Sequence, residues 1–179
     1  MLRLMPTEKI LFLTGFLLLA CLFDVRSRRI PNGLSAGVLM CGATLALLGH
    51  GLDGLWISAV GAFTAFAVMI PLYALRFMGA GDAKLMIALG TWSNASVIFA
   101  TMIYTFLAGA VLAIGVMMVR GGWSSGYSNV RDLLHRVMLR LRGVPVQVVV
   151  STENQTFRLP YALAIAAGVW LAHLRGPLF

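Results

Sequence analysis

Residues 34–75 read "LSAGVLMCGATLALLGHGLDGLWISAVGAFTAFAVMIPLYAL", and between Arg29 and Arg76 the only formally charged side chain is Asp53. Two apolar runs lie inside this stretch, Leu34 to His50 and Leu55 to Leu75. A helix crossing a hydrocarbon core of ~30 Å takes about 20 residues, so each run is a candidate membrane span. Further runs occur at Lys9 to Phe23, Ala83 to Trp92, Val97 to Val119 and Leu159 to Leu174. The whole chain of 179 residues is 60% hydrophobic and 11% charged, with a mean hydropathy of +0.90. That usage lies far from soluble domains and leaves room for about six helices and no sizeable soluble domain. The expected fold is all-α: a polytopic bundle of about six transmembrane helices forming one domain over residues 1–179. The fourth run is too short to cross alone. It must extend through Ser93 to Ser96, lean on neighbouring helices, or start below the membrane surface in protein-lined surroundings.

A formal charge of +8 raises the question of nucleic acid, but in a membrane protein Lys and Arg first report topology. If the spans alternate sides, Arg26, Arg28, Arg29, Arg76, Lys84, Arg120, Arg131, Arg136, Arg140, Arg142 and Arg158 share one side, and Arg3, Lys9 and Arg175 lie on the other. The positive-inside rule makes the crowded side cytoplasmic and puts both termini outside. No nucleic-acid partner is expected. The opening "MLRLMPTEKILFLTGFLLLAC" reads as the first membrane helix and not as a cleaved signal, because Arg26, Arg28 and Arg29 oppose translocation of the chain beyond them. Cys21 and Cys41 form no CxxC pair and read as packing residues. The cytoplasmic loop is expected over roughly 120–158. Within it, Val130, Leu133, Leu134, Val137, Met138 and Leu141 recur at helical spacing among arginines. This amphipathic helix suits an anionic leaflet or the end of the bundle. "VQVVVSTENQTFRL" (146–159) then reads as two short extended pieces around a turn.

The topology sorts the six acids. Glu8 and Asp53 fall outside, while Asp132 and Glu153 sit in the polar cytoplasmic segment, where solvated charge is the default. Asp24 ends the first helix and Asp82 opens the fourth, both at the cytoplasmic edge of the bundle. An ionisable group at that depth is a functional candidate, because an unpartnered buried charge is costly. Local alternatives exist for each: Asp24 lies four residues before Arg28 and can pair with it, and Asp82 can cap its own helix while Lys84 reaches the headgroups. Favouring function, Ile30-Pro31-Asn32 breaks the chain just beyond Asp24, and Gly79 and Gly81 loosen the backbone just before Asp82. Gly81 is expected either to take a positive φ or to let a substrate backbone lie close. Two carboxylates at one level can activate water.

Competing chemistries are poorer. Gly122-Trp123-Ser124-Ser125-Gly126 matches GxSxG, but it follows a membrane span in a loop where a strand-to-helix elbow is required. There is no HExxH, and His50, His135 and His173 are isolated, so no metal is expected. Gly79-Ala80-Gly81 fails as a dinucleotide fingerprint, because Lys84 stands where its third glycine belongs, and no cofactor is expected. The surviving alternative is a small transporter using Asp24 and Asp82 as a proton or cation relay.

Asp24 followed by "RRIPN" (28–32), "GAGDAK" (79–84) and the late "RLPYALAIAAG" (158–168) together resemble the type IV prepilin peptidase family of GxGD intramembrane aspartic proteases. The resemblance implies Asp24 and Asp82 as the catalytic pair, with Ile30, Pro31, Asn32, Gly79, Gly81 and Lys84 as supporting motif residues. It implies removal of a basic leader from prepilins or pseudopilins, substrates that carry an apolar helix, at the cytoplasmic face of a prokaryotic inner membrane. Longer members carry a cysteine-rich insert and also methylate the new N-terminus; this chain resembles the short, peptidase-only form. In such a pair one carboxyl holds a proton while the other takes one from water. Helix dipoles favour Asp82, at a helix N-terminus, as the base, since Asp24 lies at a C-terminus, although Arg26 and Arg28 can reverse that bias.

Overall fold

In the computed structural model, the described residues are 7–27, 30–75, 77–119, 131, 138 and 161–175. Among them every regular element is helical: α1 (Thr7–Ser27), α2 (Asn32–Ala74), α3 (Ala80–Gly90), α4 (Ala95–Val119) and α5 (Tyr161–Arg175). Two compact units divide the chain, Met1–Gly109 with Pro160–Phe179, and Ala110–Leu159. The helix contacts that build the core and the site all lie within the first. The linker at 121–128 and the extended pieces expected at 146–159 fall outside the described residues, as does most of the amphipathic segment. Of the latter, Arg131 and Met138 are helical and exposed.

Three helices are long and apolar enough to cross a membrane, over Ile10–Ser27, Asn32–Ala74 and Ala95–Met118. A straight α2 would run to roughly 65 Å at 1.5 Å per residue, about twice a bilayer core. It does not run straight. Gly51 takes φ 62° and ψ −144°, a left-handed conformation natural to glycine, and splits α2 into arms 32–50 and 52–74. A Cβ on Gly54 would strike the Ala46 carbonyl and the His50 side chain, a proximity that only a sharp bend produces. The two runs read in the sequence are thus two arms of one bent helix, joined without a loop.

The arms grip the end of α3. From the first arm, the Val38 carbonyl accepts the Trp92 indole N–H at 2.8 Å; from the second, the Ser58 hydroxyl donates to the Thr91 carbonyl at 2.8 Å. The Thr91 hydroxyl donates to the Ala88 carbonyl at 2.8 Å. Backbones touch where no side chain intervenes, since a Cβ on Gly90 would lie 2.6 Å from the Ala62 Cα. Small residues allow such approach between membrane helices. α3 does not extend through Ser93 to Ser96: it stops at Gly90, and Asn94 caps α4 through its side-chain oxygen and the Val97 N–H at 2.9 Å. The 11-residue helix is sheltered by its neighbours, with Ala83, Leu85, Met86, Ala88, Leu89 and Gly90 all buried. The core draws Leu13, Leu17 and Ala20 from α1, Met69 from α2, Ile98 and Met102 from α4, and Ile165 from α5. Cys21 and Cys41 pack against it, half-buried, as free thiols. Leu11, Phe12, Leu18, Leu48, Trp56 and Phe63 face outward, a surface suited to lipid.

Candidate active site

The chain leaves α1 at Ser27 and re-enters helix at Asn32. Pro31 takes extended geometry (φ −61°, ψ 138°) as the N-cap of α2, and its carbonyl accepts the Leu34 N–H at 3.1 Å. This places Ile30, buried, against the first turn of α3: a Cβ added to Gly81 would sit 3.3 Å from the Ile30 Cβ. One residue past the proline, the Asn32 side-chain oxygen accepts a hydrogen bond from the Lys84 ammonium at 3.0 Å. The Ile-Pro-Asn and Gly-Ala-Gly-Asp-Ala-Lys stretches therefore meet at two points, and both flank the acids.

Gly81 does not take a positive φ; among the described residues only Gly51 does. The glycine serves close approach, and what approaches is Ile30 of the same chain. Gly79 is likewise extended, at φ −74° and ψ 152°, as the N-cap of α3.

Asp24 lies in the last turn of α1 and is 8% exposed. Its Oδ2 accepts the backbone N–H of Ala162 at 2.9 Å, in the first turn of α5. Besides the negative end of α1, Asp24 thus meets the positive end of α5. Arg28, its candidate ion-pair partner, lies outside the described residues. Asp82 lies in the first turn of α3, ahead of the apolar run and outside the three helices long enough to span. Burial holds its carboxyl above the usual carboxylate range, the Asp24 carboxylate adds to the rise, and the Gly79 backbone N–H opposes it. Asp82 turns toward the N-cap of its own helix and is also within electrostatic reach of Asp24.

Beside the acids, Leu72, Phe77, Met78, Phe106 and Tyr161 line a cleft of about 300 Å³. The sequence gives Tyr161 and Ala162 no individual role; the "RLPYALAIAAG" stretch marks their neighbourhood without saying what it touches. Among the described residues no three His, Cys, Asp or Glu side chains gather as metal ligands.

The model of the type IV leader peptidase family matches residues 11–114, a span that holds both acids and both flanking motifs. The prepilin leader peptidase/N-methyltransferase of Aeromonas hydrophila is 31% identical over 117 residues, covering 62% of this chain and 40% of that protein. The protein of the same name from Aeromonas salmonicida (strain A449) gives the same figures. The match thus spans well under two thirds of these relatives' length. No solved structure gives a significant match. With more than half of its residues matched by the family model, the chain belongs to the type IV leader peptidase family.

Proposed function

We propose that the protein is a membrane-embedded aspartic endopeptidase that removes the basic leader from prepilin-like proteins. The observation that carries this reading is the approach of Asp24 from α1 and Asp82 from α3 at the broken, motif-bearing edge of the bundle. Membership of a peptidase family weighs against a proton or cation relay by the same acids.

The chemistry follows from the asymmetry of the pair. Two close carboxyls resist double ionisation and share one proton. Because burial raises the Asp82 carboxyl, we place that proton on Asp82 and make Asp24 the base, where helix dipoles alone favour the opposite assignment. Asp24, ionised, removes a proton from water as the water oxygen bonds to the scissile carbonyl carbon. Asp82 protonates the carbonyl oxygen as its π bond opens. Collapse of the resulting diol returns a proton to the leaving amine and breaks the C–N bond, and the chain takes no cofactor in this scheme.

In the membrane, α1, the two arms of α2, the run Ala83 to Trp92, α4 and α5 supply six crossings, with the short fourth run and α5 leaning on their neighbours and Asp82 at the cytoplasmic edge ahead of its run. Both ends then lie outside, and the site faces the cytoplasm of a prokaryotic inner membrane, where the leader of a prepilin or pseudopilin is presented. We assign the leader-peptidase activity and not the methyl transfer in the relatives' names. Only residues 28–31 join α1 to α2, and no cysteine-rich insert interrupts them. The test is co-expression with prepilin-like substrates, with leader removal followed by mass spectrometry. The wild type is expected to yield the shortened product, and Asp24→Asn and Asp82→Asn to insert normally and yield none. Retained cleavage in either variant removes that residue from the pair.

A further inference from the structure

Asp24 sits where a helix is least able to hold a side chain still, in its final turn. A carboxylate there is useful as a base only if its oxygens are aimed, since a displacement of about 1 Å costs on the order of 100-fold in rate. α1 supplies no donor for that purpose, because the free groups at a helix C-terminus are carbonyls. α5 does. Its first N–H groups have no partner within their own helix, and the Ala162 amide spends its hydrogen on Asp24 Oδ2 at 2.9 Å. Ala162 is 1% exposed, so water does not compete for that amide.

The turn that carries the amide is itself held. Leu17 and Ala20 of α1 share one core with Ala162 and Ile165 of α5. On the other side the Tyr161 ring lies over Gly109 of α4, where an added Cβ would come within 3.0 Å of it. The start of α5 is therefore fixed between α1 and α4, and with it the direction of the amide.

We propose that the first turn of α5 is a positioning element of the catalytic centre, in which the Ala162 N–H fixes one oxygen of Asp24 and leaves the other to take the proton of the attacking water. This inference rests on Asp24 being catalytic, as proposed above. It adds a residue whose side chain does no chemistry and whose backbone orients the base.

The test removes one hydrogen. Lactic acid introduced at position 162 by nonsense suppression replaces the amide N–H with an ester oxygen and keeps the methyl side chain. The same replacement at Ala167, an exposed position within α5, is the control, since it costs one backbone hydrogen bond far from the acids. With full-length protein in lipid vesicles and a synthetic prepilin-like peptide, the ester at 162 is expected to lower kcat by about 10–100-fold with KM within about twofold. The ester at 167 should leave both near wild type. An ester at 162 that turns over like the 167 control overturns the proposal. Should the 162 ester fail to accumulate, the Ala162 amide proton resonance in the 15N-labelled protein decides. Asp24→Asn should move it upfield and Asp53→Asn should not; a resonance unmoved by Asp24→Asn overturns the proposal. Failure of the underlying reading looks different, because Asp24→Asn would then still cleave.

Discussion

The two ends of α3 are built on opposite principles. At the far end, Thr91 and Trp92 are tied to both arms of α2 by buried hydrogen bonds, and Gly90 meets Gly61 and Ala62 backbone to backbone. At the near end, the backbone enters helix through Gly79 and Gly81, Asp82 is half-buried, and the Lys84 to Asn32 contact is exposed. The far end anchors and the near end presents. An 11-residue helix can hold a half-buried acid at the bundle's edge because its other terminus is fixed so firmly.

Substitutions should separate the two ends by what they damage. The largest effect belongs to the acids: Asp24→Asn or Asp82→Asn is expected to lower cleavage by about 10²–10⁴-fold or more with thermal stability in detergent unchanged. The wild-type pH profile should carry the same signature. In the proposed mechanism Asp82 holds the proton, and burial raises its carboxyl, so kcat should fall as pH rises through a value above the ordinary carboxylate range. A kcat that does not fall through that range would overturn Asp82 as the holder of the proton. Next comes Gly90→Val, which drives a branched side chain into the Ala62 and Gly61 backbone and should destabilise by about 3 kcal/mol, read as lost folded protein, with surviving molecules cleaving normally. Ser58→Ala leaves the Thr91 carbonyl without its donor and should cost about 1 kcal/mol, again without touching kcat.

Smaller effects return to the near end. Gly81→Ala asks Ile30 to give by a few tenths of an ångström and should reduce cleavage a few-fold, with Gly81→Val reducing it further. Equal rates for Gly, Ala and Val at 81 would show that the contact with Ile30 does not set Asp82. Lys84→Met removes an exposed hydrogen bond to Asn32 and should change kcat by no more than about twofold, measured beside wild type at one ionic strength.

How much of this was readable depends on how far each determinant reaches along the chain. Local ones were plain. The apolar runs became helices, Pro31 opened α2, and Asp82 fell in the first turn of its helix with glycines before it. The buried face of each helix was not readable, because lipid and protein interior both accept Leu and Phe. In α1, Leu13 and Leu17 are buried while Leu11 and Leu18 face outward, and nothing in their chemistry tells them apart. The bend at Gly51 was hidden among fourteen described glycines with no proline beside it, and only its φ distinguishes it. In the site, topology put Asp24 and Asp82 at the same edge of the bundle, and Asp82 lies within electrostatic reach of Asp24. The contacts that orient them did not: Lys84 with Asn32, Gly81 with Ile30 and Ala162 with Asp24 join residues from different elements, and the last is made by a backbone amide that any residue but proline supplies.

The hydrogen bond between Ala162 and Asp24 joins residues 138 apart, which ties the site to the order of synthesis. Asp24 leaves the ribosome early, and Asp82 comes after it. The amide that holds Asp24 is made near the end of the described chain, on the order of ten seconds later at ribosomal rates of about 5–20 residues per second. Until then both acids are in the nascent chain and Asp24 lacks that hydrogen bond. In the proposed mechanism the catalytic centre is therefore complete only once α5 has docked, well after both acids have been made.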